Sequence, residues 1–155
     1  MVFLQPTDGA TLLLSSRAVS STALQPDIAG DRTLSTRVVV ADDIEDLRWL
    51  LRAALTADGR FNVVGEAGDG REAVTVVGLT HPDVVVLDLS MPTMDGLEAA
   101  IEIADVSPET RVVIYSAVGE RAVAAATQAA GVAAFVKKGA TTREISDAVA
   151  RVADQ

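Results

Sequence analysis

VVVLDLSMPTMDG, residues 84–96, is the stretch on which the fold turns. Four apolar residues, Val84 to Leu87, run without a polar break and end at Asp88. The run is too short and too β-branched for a helix, so it predicts a strand buried on both faces, as in a parallel sheet. Pro92 and Gly96 punctuate the turn that follows, and Asp95 with Glu98 is the capping pair that opens a helix. One strand, one turn and one helix start are therefore written in this single window.

The same grammar repeats five times along the chain. Strands are expected at 38–41, 61–66, 84–87, 112–115 and 132–136. Between them lie stretches with helical spacing: Ile44, Leu47, Leu51, Ala54 and Leu55; then Leu97, Ala100, Ile101 and Ala104; and at the end Ile145, Ala148, Val149 and Val152. Capping pairs stand at Asp69 with Glu72, Asp95 with Glu98 and Thr141 with Glu144, and stops at Asp58-Gly59 and Gly131. A helical bundle would leave Val38-Val39-Val40 and Val84-Val85-Val86 unexplained. Five βα units are too few to close an eight-stranded barrel. The fold class is α/β: a doubly wound, five-stranded parallel sheet in flavodoxin-like order 2-1-3-4-5, with its ligand crevice beyond the carboxyl ends of strands 1 and 3.

A chain of 155 residues has room for one domain with a tail. Residues 1–36, rich in Ser, Thr, Ala and Pro, show no sustained period and read as a flexible N-terminal extension; 37–155 is the folded domain. The composition is 49% apolar but 3% aromatic, so the core must be built from aliphatic side chains. Of the net charge of −9, the first 36 residues hold only three Asp against two Arg. Such acidity excludes a direct nucleic-acid surface. With no Cys there is neither a disulfide frame nor a thiolate metal site, and with neither a basic leader nor a long apolar run the chain is expected to be cytoplasmic, without a membrane segment.

Function is read from the residues just past the strands: Asp42-Asp43 after strand 1, Asp88 after strand 3, Ser116 after strand 4 and Lys138 after strand 5. Any one of them alone is an ordinary cap or turn residue. Together they place three carboxylates, a hydroxyl and an ammonium on one rim. Carboxylates about 4 Å apart repel by about 4 kcal/mol per pair at an effective dielectric near 20, so they must be neutralised, by protonation or by a cation. Hard oxygen donors without His or Cys select Mg²⁺, with Mn²⁺ as the alternative, and Mg²⁺ readily shares its shell with a phosphate. Asp88, at the centre, is expected to be the nucleophile that becomes an aspartyl phosphate. Asp43 would bind the metal directly and Asp42 through water, while Lys138 and Ser116 would take the phosphoryl oxygens on the other side.

The stretches VVVADDIEDLRWLL (38–51), VVVLDLSMPTMDGLEAA (84–100), VVIYSA (112–117) and AAFVKKGA (133–140) resemble the bacterial response-regulator receiver domains. The resemblance implies that a sensor histidine kinase or a histidine phosphotransfer protein donates a phosphoryl group to Asp88. It also implies Mg²⁺ held by Asp42, Asp43, Asp88 and the backbone carbonyl of Ser90. Ser116 would then be drawn inward, Phe135 would change rotamer, and the face made by helix 4, strand 5 and helix 5 would present itself to a downstream effector. Phe135 stands where Tyr is frequent in the family, Gly139 where Pro is frequent, and Ser90 is small. The Lys-Gly-Ala ending resembles receivers fused to helix-turn-helix output domains, but the chain stops soon after, and a stand-alone receiver is expected.

Two alternatives compete with a regulatory phosphoacceptor. A haloacid-dehalogenase-like, Mg-dependent phosphatase would need a second Asp two residues after the nucleophile, where Ser90 stands. A receiver-shaped scaffold that is never phosphorylated would show a broken acidic pair or lack the Lys, and both are intact. His81, before Pro82, is assigned to a helix end, and Trp49 to packing.

Overall fold

The valine runs fold as the central strands of a parallel sheet in the computed structural model, which describes residues 35–155. The strands are β1 (Thr36–Ala41), β2 (Phe61–Ala67), β3 (Val84–Leu87), β4 (Arg111–Ser116) and β5 (Ala134–Lys137). The helices are α1 (Glu45–Asp58), α2 (Gly70–Thr80), α3 (Gly96–Val106), α4 (Glu120–Ala129) and α5 (Thr142–Ala153). The order is β2-β1-β3-β4-β5 with every neighbouring pair parallel. The doubly wound sheet expected from the sequence is therefore the fold. The extension expected over residues 1–36 lies, up to residue 34, outside the described residues. Among the described residues no helix is long and apolar enough to cross a membrane.

Alternation along the strands sorts two cores. Val38, Val40, Val84, Val86, Val113 and Tyr115 pack with Leu51 and Leu55 of α1 and with Ile145, Ala148, Val149 and Val152 of α5. Val39, Ala41, Val85, Leu87, Val112 and Ile114 face Ala73 and Val77 of α2 and Ala99, Ala100 and Ile103 of α3. Because helices cover both faces, Val38 to Ala41 and Val84 to Leu87 are buried without interruption, which is why these runs carry no polar alternation.

Helix rotation departs from the expected stripes in two places. Ile44 is not on the helix; it is the N-cap residue of α1 and half exposed. On α3 the inward residues are Gly96, Ala99, Ala100 and Ile103, while Ile101 and Ala104 are exposed. The cause is Gly96: a Cβ there would stand 2.1 Å from the Asp88 carbonyl oxygen, so this glycine lies directly on the backbone beneath it. Residues three, four and seven positions on share its face and are turned inward with it. Trp49, expected to pack, is instead 59% exposed on α1.

The caps follow the sequence with one exchange. Asp95 with Glu98 and Thr141 with Glu144 form complete capping boxes. Asp69 receives the Glu72 N–H, but the Glu72 carboxylate turns to the Gly68 N–H at 2.7 Å, so this box is only half closed. Gly59 and Gly131 take φ of +81° and +71° at the ends of α1 and α4, as the stops predicted. β5 begins two residues later than expected, since the Val132 N–H is used to close α4 on the Thr127 carbonyl at 3.0 Å.

His81 ends α2 as its C-cap, with φ +43°. Its Nδ1 lies 3.1 Å from Ser107 Oγ, which lies 2.9 Å from Thr110 Oγ1, whose proton goes to the Pro82 carbonyl at 2.7 Å. A carbonyl can only accept, so the chain of donors runs one way: Thr110 to Pro82, Ser107 to Thr110, and His81 Nδ1–H to Ser107. His81 is thus a helix terminus tied to the α3–β4 connection, remote from the strand-end rim.

Gly96 generates a direct prediction. Gly96→Ala drives a methyl group into the Asp88 backbone and is expected to cost roughly 1–3 kcal/mol by urea denaturation. Gly119→Ala, with nothing within 4 Å of the added carbon, should change stability by less than about 1 kcal/mol.

Candidate functional site

Strand register places the acidic residues before any side chain is considered. The Asp42 N–H donates to the Ala67 carbonyl at 3.1 Å and the Asp88 N–H to the Ala41 carbonyl at 2.9 Å. Each Asp is thus pinned by the neighbouring strand's end, one residue beyond the sheet. The Lys138 N–H donates to the Ser116 carbonyl at 2.8 Å, which brings the end of β5 to the end of β4 in the same way.

From these backbones the side chains converge. One carboxylate oxygen from each of Asp42, Asp43 and Asp88 lies within 4.8 Å of the others. Lys138 Nζ stands 2.8 Å from Asp42 Oδ2 and 3.0 Å from Asp88 Oδ2. Asp42 is wholly buried and Asp88 nearly so, whereas Asp43 is exposed. Asp42 Oδ1 accepts the Ile44 N–H at 2.9 Å, but Oδ2 meets Lys138 as an ion pair without a well-directed hydrogen bond, leaving a buried oxygen with spare acceptor capacity. Asp88 Oδ1 accepts the Ser90 N–H at 3.3 Å. Among the described residues no hydrogen bond reaches the Ser90 carbonyl.

The electrostatics are those of a site short of positive charge. Burial is the main influence that raises the Asp88 pKa; Lys138 pulls it back and Asp42 adds to the rise, leaving it above the ordinary carboxylate range. Burial works against the Lys138 ammonium, yet Asp42 and Asp88 together outweigh it and its pKa is raised. One ammonium thus serves two buried carboxylates, with a third, exposed one beside them. An all-oxygen donor set with an under-used buried oxygen fits a hard divalent ion such as Mg²⁺.

The other expected residues are placed less directly. Ser116 is buried at the end of β4, and its Oγ accepts the Val118 N–H at 3.1 Å rather than bonding the acidic cluster. Phe135, on the neighbouring β5, is half-buried against the core on the α2–α3 face. Ser90 is exposed at the rim.

Sequence reading overlooked Arg48. Its guanidinium donates to the Asp42 carbonyl at 2.6 Å and pairs with Glu66 of β2 at 3.6 Å, with only 19% of the side chain exposed. Its signal was an Arg one turn into α1 at a position other than the solvent-facing ones, which the apolar stripe could have revealed.

Comparison with known proteins gives one answer. The response regulator receiver domain family matches residues 38–150. The chain is similar to the chemotaxis protein CheY of Thermotoga maritima, 33% identical over 119 residues, 77% of this chain and 98% of that protein. It is also similar to the transcriptional regulatory protein NarL of Mycobacterium tuberculosis, 41% identical over 113 residues, 73% of this chain but 52% of that longer protein. The solved receiver domain of NarL from Mycobacterium tuberculosis superposes with a TM-score of 0.74 at 39% identity, covering 77% of this chain and 97% of that one. A CheX–CheY–BeF₃–Mg²⁺ complex from Borrelia burgdorferi superposes with a TM-score of 0.73 at 28% identity, covering 79% and 92%. The match spans more than half of the chain and the strand order is that of the superposed structures, so this chain belongs to the response regulator receiver domains.

Proposed function

We propose that the chain is a regulatory phosphoacceptor of two-component signalling, in which Asp88 takes a phosphoryl group from a phosphohistidine on a sensor kinase or a phosphotransfer protein. The observation that carries the reading is the convergence of Asp42, Asp43 and Asp88 on one ion-sized site with Lys138 at its inner wall. Asp88 Oδ attacks phosphorus as the P–N bond to the donor imidazole breaks, which leaves an acyl phosphate and a free histidine. Bound Mg²⁺, held by Asp42, Asp43, Asp88 and the Ser90 carbonyl, would neutralise charge on the phosphoryl oxygens. Lys138, already between Asp42 and Asp88, offers its ammonium to a phosphoryl oxygen on the inner side. The complex of a receiver relative with BeF₃ and Mg²⁺ supports the same pairing of ligands for this chain.

The readout follows from residues next to the site. Among the described residues the Ser116 hydroxyl is held only by accepting from the Val118 N–H, which leaves its proton to reach a phosphoryl oxygen. Its inward turn opens space beside Phe135, and the ring's new rotamer alters the face of α4, β5 and α5 on which an effector protein docks. Position 90 has no carboxylate to act as general acid, which supports a regulatory role over turnover of small phosphates.

Incubation with acetyl phosphate and Mg²⁺ should add one phosphoryl mass to the wild type and none to Asp88→Asn in intact-mass spectra. Equal adducts in both would remove Asp88 as the acceptor.

The small exposed Ser90 admits water to the acyl phosphate. Ser90→Met is therefore expected to lengthen the phosphorylated state several-fold, and equal lifetimes would contradict it.

A carboxyl whose folded pKa is raised stabilises the fold fully below the ordinary aspartate pKa and loses that contribution as pH rises through the raised value. At neutral pH Asp88 is therefore a liability without metal. Asp88→Asn, which leaves Lys138 paired with Asp42, should melt at a higher temperature than wild type in chelator, and a lower one would refute the sign.

A further inference from the structure

Asp42 and Asp43 are held very differently. Asp42 is fixed through its N–H, its Oδ1, its Oδ2 and its carbonyl. Asp43 is exposed, and among the described residues its side chain makes no hydrogen bond or ion pair. The position of Asp43 therefore depends on the peptide unit that leads into it, and the oxygen of that unit is the Asp42 carbonyl.

That oxygen is the one Arg48 grips at 2.6 Å. The guanidinium is itself held from the sheet, since Glu66 on β2 pairs with Arg48 at 3.6 Å and with Arg52 at 3.4 Å. The guanidinium packs beside Gly68, where a Cβ would lie at an ordinary contact distance of 3.5 Å from its nitrogen. The N-cap residue of α1, Ile44, offers no capping side chain, so α1 contributes to the acidic turn through Arg48 instead. A continuous linkage thus runs from β2 through Glu66 and Arg48 to the Asp42–Asp43 peptide.

We infer that Arg48 is a positioning residue for the divalent cation: by clamping the Asp42 carbonyl it presets the Asp43 carboxylate, touching neither metal nor phosphoryl group itself. The inference rests on the phosphoacceptor reading above. A preset ligand loses less conformational freedom on binding, so removal of the clamp lowers metal affinity while leaving the reacting atoms unaltered once metal is bound.

The test is calorimetric titration of Mg²⁺ into wild type, Arg48→Met, Arg48→Lys and Glu66→Gln, with phosphoryl acceptance from acetyl phosphate followed against Mg²⁺ concentration. Arg48→Met, which keeps the apolar stem but no donor, should raise the Mg²⁺ dissociation constant about tenfold, the usual effect of losing a partner that orients a ligand. Its acceptance rate should return to the wild-type value at saturating Mg²⁺. Arg48→Lys, with one ammonium able to reach the carbonyl, should fall between the two. Glu66→Gln, which loosens only the anchor, should weaken Mg²⁺ in the same direction and keeps the question answerable if Arg48→Met does not fold. An unchanged dissociation constant in the folded variants, or a lower rate at saturating metal with unchanged affinity, overturns the role of Arg48. A wild type that binds no Mg²⁺ instead removes the phosphoacceptor reading on which it stands.

Discussion

Two buried aspartates meeting one lysine are the constraint around which the rest is arranged. Asp42 and Asp88 are taken almost wholly out of water at 2.8 and 3.0 Å from Lys138, and without that ammonium two like charges would face each other in a poorly hydrated rim. Nothing in a loop could hold such an arrangement against its own repulsion. The sheet does so, because the backbone of each Asp is bonded to the end of the neighbouring strand, and the strands are fixed by valines buried on both faces. Fold and chemistry are in this sense one design: the packing energy of the core holds the carboxylates together when the metal is away.

The glycines mark where that design is tightest. Gly96 lies on the Asp88 carbonyl, and Gly70, at the start of α2, lies on the backbone of Met94, where a Cβ would come within 2.1 Å of the oxygen. The turn between β3 and α3 is thereby trapped between its own strand and a neighbouring helix. Thr93 takes φ +71° inside it, and the Met94 N–H closes on the Pro92 carbonyl at 2.7 Å. A non-glycine residue in the left-handed region is tolerated because both flanks are fixed.

Much of this was legible because it is local. Valine runs announce doubly covered strands, an Asp at the end of such a run announces a rim, and Asp95 with Glu98 or Thr141 with Glu144 announces a helix start. What escaped is set by tertiary contact. The rotation of α3 was decided by Gly96 against Asp88, so Ile101 and Ala104 face solvent despite their helical spacing. Glu72 left its own cap for Gly68, and Trp49 lies on the surface because Leu51 and Leu55 fill the core beneath α1. Arg48 was missed for the same reason, as its partner is a backbone oxygen six residues earlier and its anchor lies on another strand.

The two flanks of the rim differ in how tightly they are packed. On the side of β1, β2 and α2, guanidinium, carboxylates and glycine contacts leave little room for displacement. On the other side α4 starts at Gly119 without a capping side chain, buries only Thr127 among its own residues, and exposes most of its alanines. Each of the other four helices buries two or more residues, so α4 is the helix with the least packing to lose when its neighbours shift.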